Sequence, residues 1–439
     1  MAQQEAAGSV YQSFPKSTVQ ILGEKSLINL SAQPKVHAIG RKPYSVALSP
    51  KAVLELQPYV ETVVRRKILK LECLAKSGQE VVIGDEMTDV TLESIAGVFF
   101  GDYVTPEFLD DIKRLLPAIV SGLFSLPVRF PWPLNQLPVF GFGRSMDARE
   151  AFTSEILNVL EERRADMASA AEGSSGGKSA GLFDSLIQIQ QNEMGLEGGQ
   201  DASFSDDFIV DNVINIFFAG TDTTAVTLTR ILQLLATADD GKEIVDKLLK
   251  EFSNVATSDD GELDDTTGTG SGGASRAGVL EAFPLLDAVI LEAFRLHPTV
   301  PSVFRKTRDD VSYNGYLIPQ GKTINWNMIQ GLRAESLYPE PKKFCPFRFL
   351  HGDTANNEGV ASGGPGEVPA AQPLPPMFGL GRHMCPGREL AKLEMLLFLK
   401  DFLTKFDYEL VEGQSFKAVL PVNGLKDKLR VVLKPKPGM

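Results

Sequence analysis

Apolar positions recur every three to four residues through much of this chain, the spacing of amphipathic helices. Ser49 to Cys73 opens on Ser49-Pro50, an N-cap followed by proline at the first helical position. Ala148 to Arg164 is a second run of this kind. Ser205 to Ala236 is longer, starts on Ser205-Asp206-Asp207 and is mostly apolar along its middle, which predicts a helix crossing the interior of a large domain. Phe283 to Leu296 and Arg388 to Phe406 complete the main helices. Strand patterns are short: Val311 to Ile318 with Asn314-Gly315 as a hairpin turn, Thr323 to Trp326, Tyr408 to Val411 and Arg430 to Leu433. The pattern predicts a mainly α fold, one large helical domain with small β-sheets.

Three stretches break the pattern: Ala170 to Ala180, Thr257 to Gly278 and Gly352 to Pro373. Small and polar residues dominate each, so none can bury a core, and each reads as a solvated insertion in one domain spanning 1–439. Net charge matters only in part. The formal charge of −12 argues against nucleic acid as a partner, but Asp259, Asp260, Glu262, Asp264 and Asp265 sit within one insertion. Leu115 to Phe142 is charged only at Arg129 and carries five prolines, at 117, 127, 131, 133 and 138, too many for a spanning helix. It reads as a greasy loop between two helices that touches a bilayer or gates a pocket, or as a plain proline-rich crossover. The first residues lack a basic segment followed by an apolar one, so no targeting signal is legible there.

Cysteine and histidine are scarce: Cys73, Cys345 and Cys385, and His37, His297, His351 and His383. Three distant cysteines make no disulfide framework, and without a C-x-x-C or H-x-x-x-H pair no zinc site is indicated. Metal chemistry would have to rest on very few side chains. One segment has that character. Phe378-Gly-Leu-Gly-Arg-His-Met-Cys385-Pro-Gly387 is a glycine-rich loop that brings one cysteine to the start of a helix. Backbone N–H groups and the helix dipole there favour a thiolate, the form that binds metal. The glycines let backbone pass close to a flat ligand, and Arg382 and His383 offer partners to its carboxylates.

Two further groupings stand out. Ala219-Gly220-Thr221-Asp222-Thr223-Thr224 lies in the middle of the long helix, where Ile209, Val213, Ile216, Gly220 and Thr223 form one stripe. Gly220 removes a side chain where something must approach, and an acid beside an alcohol makes a proton-delivery site. Glu292 and Arg295 share a helix face at i and i+3. By itself such a pair is more often a surface salt bridge of little energetic value.

Together these motifs resemble the cytochrome P-450 family of haem-thiolate proteins, from about Gly23 to Val432. The resemblance implies that Cys385 is the axial ligand of haem b and that Phe378 and Gly387 border the haem. His383 stands where the family has an arginine or histidine contacting a propionate. Asp222 and Thr223 match its acid and alcohol, with Ala219 at the pocket. Glu292, Arg295 and Arg348 match a buried structural trio, although Phe347 stands where the family usually has an acid. His297-Pro298 to Arg305 should run extended, with Val303 and Phe304 beside the substrate and Arg305 near a propionate. His37 and Arg41 resemble an early helix that reaches the propionates.

The implied activity is a monooxygenase that inserts one atom of O2 into an apolar substrate. Electrons come from NADPH through a separate reductase or ferredoxin, because no flavin or nicotinamide fingerprint is present. The helix start Arg388-Glu-Leu-Ala-Lys-Leu-Glu-Met, the run Phe294 to Pro298 and the run Ser121 to Pro138 are most similar to the branch acting on sterols, retinoids and other isoprenoids. A haem-thiolate isomerase or dehydratase is a rival, against which Asp222-Thr223 weighs; a truncated haem-binding remnant is another. The family's early helix normally follows an anchor, a hinge, a first helix and most of a small sheet. Thirty-odd residues leave little room for these, so the N-terminal sheet and first helix are expected to be largely absent. Location follows the family alone: the cytosolic face of the endoplasmic reticulum, or a plastid.

Overall fold

A computed structural model describes residues 8–129, 134, 140–171, 181–194, 204–258, 280–350, 374–419 and 422–436. Residues 172–180, 259–278 and 352–373, which make up most or all of the expected insertions, lie outside them.

Helices dominate. In chain order they are α1 (Lys16–Leu22), α2 (Pro34–Ala47), α3 (Pro50–Ser77), α4 (Ile83–Phe100), α5 (Pro106–Ser121), α6 (Phe142–Ala171), α7 (Gly181–Met194), α8 (Asp206–Thr237), α9 (Gly241–Ser258), α10 (Pro284–Leu296), α11 (Met328–Leu332) and α12 (Arg388–Lys405). Ser49 caps α3, its hydroxyl accepting from the Ala52 N–H at 3.4 Å, with Pro50 in the first turn. Phe406 does not extend α12 but opens a strand.

The sheets are small and antiparallel. One has the order β1 (Val10–Gln12), β3 (Ser302–Thr307), β6 (Thr323–Asn327). Another has the order β2 (Glu80–Val82), β10 (Arg430–Pro435), β7 (Phe406–Leu410). The hairpins are β4 (Val311–Tyr313) with β5 (Tyr316–Ile318), and β8 (Ala418–Val419) with β9 (Gly424–Leu425). Asn314 and Gly315 take φ of 48° and 82°, the left-handed pair that a two-residue hairpin turn requires. The N-terminal segment contributes one strand to the first sheet, Val10 pairing with Thr307.

The core is organised around α8. Arg230, Ile231, Leu232 and every residue from Phe208 to Phe217 are buried on it. α4 lies along α8: the Thr91 hydroxyl donates to the Thr221 carbonyl at 3.0 Å, and Phe99, Phe100, Phe183 and Phe217 form one aromatic cluster. α4 carries no clear amphipathic stripe because 12 of its 18 residues are buried, so its polar face is too narrow to give a period. α12 packs on α3 and α8 and carries its N-terminal loop to the same region. No described helix is long and apolar enough to cross a membrane.

Leu115 to Ser121 belong to the end of α5. Beyond it Phe124, Leu126, Val128 and Leu134 are exposed, between 45% and 55% of their surface. Among the described residues between the two helices, these four turn outward while Leu123 is buried.

Candidate functional site

The loop before α12 is shaped by its glycines. Gly379 and Gly381 adopt φ of 73° and 66°, which L side chains rarely take. The turn closes when the Cys385 N–H donates to the Phe378 carbonyl at 2.7 Å. Cys385 is exposed and sits ahead of the first turn of α12. Burial of its surroundings raises its thiol pKa, and a backbone hydrogen bond from Gly387 and the charges of Arg41 and Arg388 oppose that rise. A second exposure is informative. Ala219 is exposed midway along α8, whose residues from Phe208 to Phe217 are all buried. α8 and α12 touch nearby, where Glu394 lies beside Thr224, five residues from Ala219 and nine from Cys385.

Cations and imidazoles gather beside the cysteine. The His37 and His383 rings meet edge to face, centroids 4.8 Å apart. Arg41 donates to the Met384 carbonyl, and Arg382 Nε donates to His383 Nε2 at 3.2 Å. Arginine only donates, so His383 Nε2 accepts and its neutral ring carries the proton on Nδ1. Burial, then the neighbouring Arg41 and Arg382, lowers the pKa of His37 to about 4. Burial, followed by His37, Arg305, Arg382 and Arg41, lowers that of His383 to about 3. Both rings are therefore neutral at pH 7. Arg382 Nη2 is buried without a hydrogen-bond partner among the described residues. Gly40, a poor helix former inside α2, has a packing reason: a Cβ there would stand 3.2 Å from the Phe208 ring.

On α8 the Thr223 hydroxyl donates to the Ala219 carbonyl at 2.6 Å. Burial raises the Asp222 pKa, and Lys428 lowers it by less. Gly220 serves a different contact from the one its position suggested. A Cβ there would lie 2.6 Å from Ile95 Cδ1, so what approaches Gly220 is α4. On β3, alternation puts Val303 and Arg305 on one face and Phe304 on the other. Arg305 is buried and close enough to depress His383 electrostatically, whereas Phe304 is not brought to the same face.

Glu292, Arg295 and Arg348 meet in the interior. Arg295 Nε and Nη2 donate to the two Glu292 oxygens at 2.7 and 2.8 Å, and Arg348 Nε to Oε1 at 3.1 Å. The Cys345 N–H adds a fourth bond at 2.9 Å. Arg295 also donates to the carbonyls of Leu332, Pro341 and Lys343. Phe347, in the place of an acid, lies under Lys247 Nζ at 4.6 Å from the ring centre.

One residue of this region was not singled out from the sequence. Glu394 on α12 is 1% exposed, beside the buried hydroxyls of Ser94 on α4 and Thr224 on α8. Burial raises its pKa well above the usual value. Glu394 Oε1 and Ser94 Oγ lack partners of hydrogen-bond geometry. The available signal was an acid on the i, i+4 stripe between Leu390 and Phe398.

Comparison with known proteins agrees with this geometry. The family model for cytochrome P-450 matches residues 6–439. Abscisic acid 8'-hydroxylase 1 of Arabidopsis thaliana is 28% identical over 97% of this chain and 77% of its own length. Taxoid 14-beta-hydroxylase of Taxus cuspidata is 26% identical over 96% of this chain and 74% of its own. A solved retinoic acid-bound cyanobacterial P-450 is similar with a TM-score of 0.73 and 25% identity, covering 98% of this chain and 85% of that one. With the cysteine loop, the buried ion-pair trio and the long core helix already in place, the chain belongs to the cytochrome P-450 family of haem-dependent monooxygenases.

Proposed function

We propose that Cys385 is the axial thiolate ligand of haem b, and that the protein inserts one atom of O2 into an apolar, isoprenoid- or sterol-like substrate. The observation that carries this reading is Cys385 at the head of α12, flanked by Arg41, Arg382 and two neutral imidazoles. The residues suit a haem. Arg382 Nη2 is an orphaned buried donor of the kind a propionate satisfies, and nothing lies within 4 Å of a Cβ built on Gly381. When bound, haem supplies the iron at which O2 is activated, and a thiolate ligand favours O–O cleavage.

The chain's own residues do the rest. His37, Arg41, Arg305, Arg382 and His383 hold the propionates, while Phe378 and Gly387 border the ring. Thr223 and Asp222 deliver protons; the raised Asp222 pKa brings its carboxyl closer to working pH. Exposed Ala219 leaves room for substrate, with Val303 on the wall. The Glu292–Arg295–Arg348 trio holds the frame. An apolar isoprenoid substrate is supported by relatives named for abscisic acid and taxoids and a similar structure with retinoic acid bound. Electrons come from NADPH through a separate reductase or ferredoxin. The loop through Phe124, Leu126 and Val128 rests against a membrane surface.

The deciding experiment is the spectrum of the reduced protein under carbon monoxide. Wild type should show the red-shifted Soret band of thiolate ligation, and Cys385→Ala should lose it. A wild-type band at the position typical of imidazole ligation would defeat the assignment.

A further inference from the structure

Arg230 is among the largest fully buried side chains of the protein, at 2% exposure. A buried guanidinium is normally matched by a carboxylate, because an uncompensated charge is expensive to desolvate. Arg230 instead donates Nη1 to the Gln233 side chain and the Phe416 carbonyl, both at 3.4 Å, and Nη2 to the Asn423 carbonyl at 3.1 Å. Its Nε has no hydrogen-bond partner among the described residues. Both carbonyls belong to the β8–β9 hairpin region, so the cation serves the backbone of a remote segment. A cost of this kind is expected where a geometry must be held.

What is held lies next to the proposed site. Asn423 Nδ2 donates to the Pro298 carbonyl at 2.9 Å, on the segment that leads into β3 and Val303. Gly424 lies against Val226, where an added Cβ would stand 3.2 Å from Val226 Cγ2. Thr227, whose hydroxyl donates to the Thr223 carbonyl, also meets the Thr299 hydroxyl at 3.0 Å. Thr223, Thr227 and Arg230 follow at one-turn spacing along α8, and the second and third are tied to the Pro298 segment and to the hairpin. Asn423 takes φ of 53°, a conformation asparagine tolerates better than most residues. Phe416, Ala418 and Val419 of the hairpin present exposed apolar surface.

We propose that Arg230 is a positioning residue: its guanidinium clamps the β8–β9 hairpin onto α8 and the Pro298 segment, and so fixes the place of the hairpin relative to Ala219 and Val303. The inference rests on the reading of Ala219 and Val303 as the substrate pocket. Burial, and then Arg333, lowers the Arg230 pKa to about 10, which leaves the clamp charged at neutral pH.

The test uses the haem-loaded full chain with Arg230→Met and Arg230→Lys. In amide hydrogen exchange, peptides covering 411–427 should exchange at least about tenfold faster in the methionine variant, with the α10 peptides unchanged and partial recovery in the lysine variant. Titration with imidazole and with 1-phenylimidazole should show a several-fold change in Kd for the larger probe only. Unchanged hairpin exchange in Arg230→Met overturns the proposal. If that variant does not fold, Arg230→Lys decides in its place, since its single ammonium cannot reach both the Phe416 and the Asn423 carbonyls. Hairpin exchange and a Kd ratio both equal to wild type in that variant overturn the proposal. Absence of the thiolate band in wild type would sink the haem reading but leave the exchange result standing.

Discussion

Arg295 grips Glu292 through two parallel hydrogen bonds, 2.7 and 2.8 Å long, with both side chains wholly shielded from solvent. An exposed pair of this spacing would contribute little. Here the two charges have no water to fall back on, so removing one strands the other. Glu292→Ala should destabilise the protein by about 3–5 kcal/mol, or abolish soluble expression. Arg348→Ala should cost less, because Arg348 gives Glu292 a single bond. Denaturant unfolding of the two variants checks the order.

Gly220→Ala tests whether α4, rather than a ligand, explains the missing side chain. The new Cβ would press on Ile95 Cδ1, and the expected loss is about 1–3 kcal/mol. In an Ile95→Ala background the same substitution should cost much less. Equal stability of Gly220→Ala and wild type in thermal melts would contradict the packing account.

Glu394 should set a pH dependence. Its native pKa is raised, so the native state holds a proton that the unfolded chain releases. The resulting penalty is absent at pH below the ordinary carboxyl range, grows as pH rises through that range and levels off above the native pKa. Glu394→Gln should therefore be more stable than wild type at neutral pH, because the amide has no proton to lose. The two proteins should converge at about pH 4, where an ordinary glutamate takes up its proton. A gap independent of pH would remove the carboxyl as its cause.

Thr223→Val keeps the shape of the side chain and deletes the hydroxyl that meets the Ala219 carbonyl. Oxygen consumption should persist while product per O2 consumed falls by about tenfold or more, with peroxide released in its place. Retained coupling would move proton delivery to another group.

Replacing Phe124, Leu126 and Val128 together by serine removes apolar side chains that lie at the surface rather than in the core. Flotation with phospholipid vesicles should fall several-fold while the melting temperature stays unchanged. Undiminished flotation would show that this loop does not rest on the bilayer.

Local patterns carried much of this architecture. The Ser49-Pro50 cap, the Asn314-Gly315 turn and the long apolar run from Ser205 each encode a preference realised within a few residues, and each has its element in the structure. α4 escaped because a helix buried nearly all round loses the polar face that makes a period visible. Glu394 escaped for a related reason. An acid on an apolar stripe has no meaning until the helices bearing Ser94 and Thr224 are packed around it.

By itself the sequence determined the kind of chemistry: one cysteine behind a glycine turn at a helix start, and an acid and alcohol inside a core helix. Those are short-range features, set by backbone preference and the field of a helix end. Tertiary structure decided which distant groups share a space. It set His37 against His383 across the fold, filled the gap at Gly220 with Ile95, and turned Phe304 away from Val303 and Arg305. It also gave Arg230 two carbonyls of a remote hairpin in place of an acid. Burial and long-range electrostatics depend on all the neighbours at once, and no window along the chain contains them.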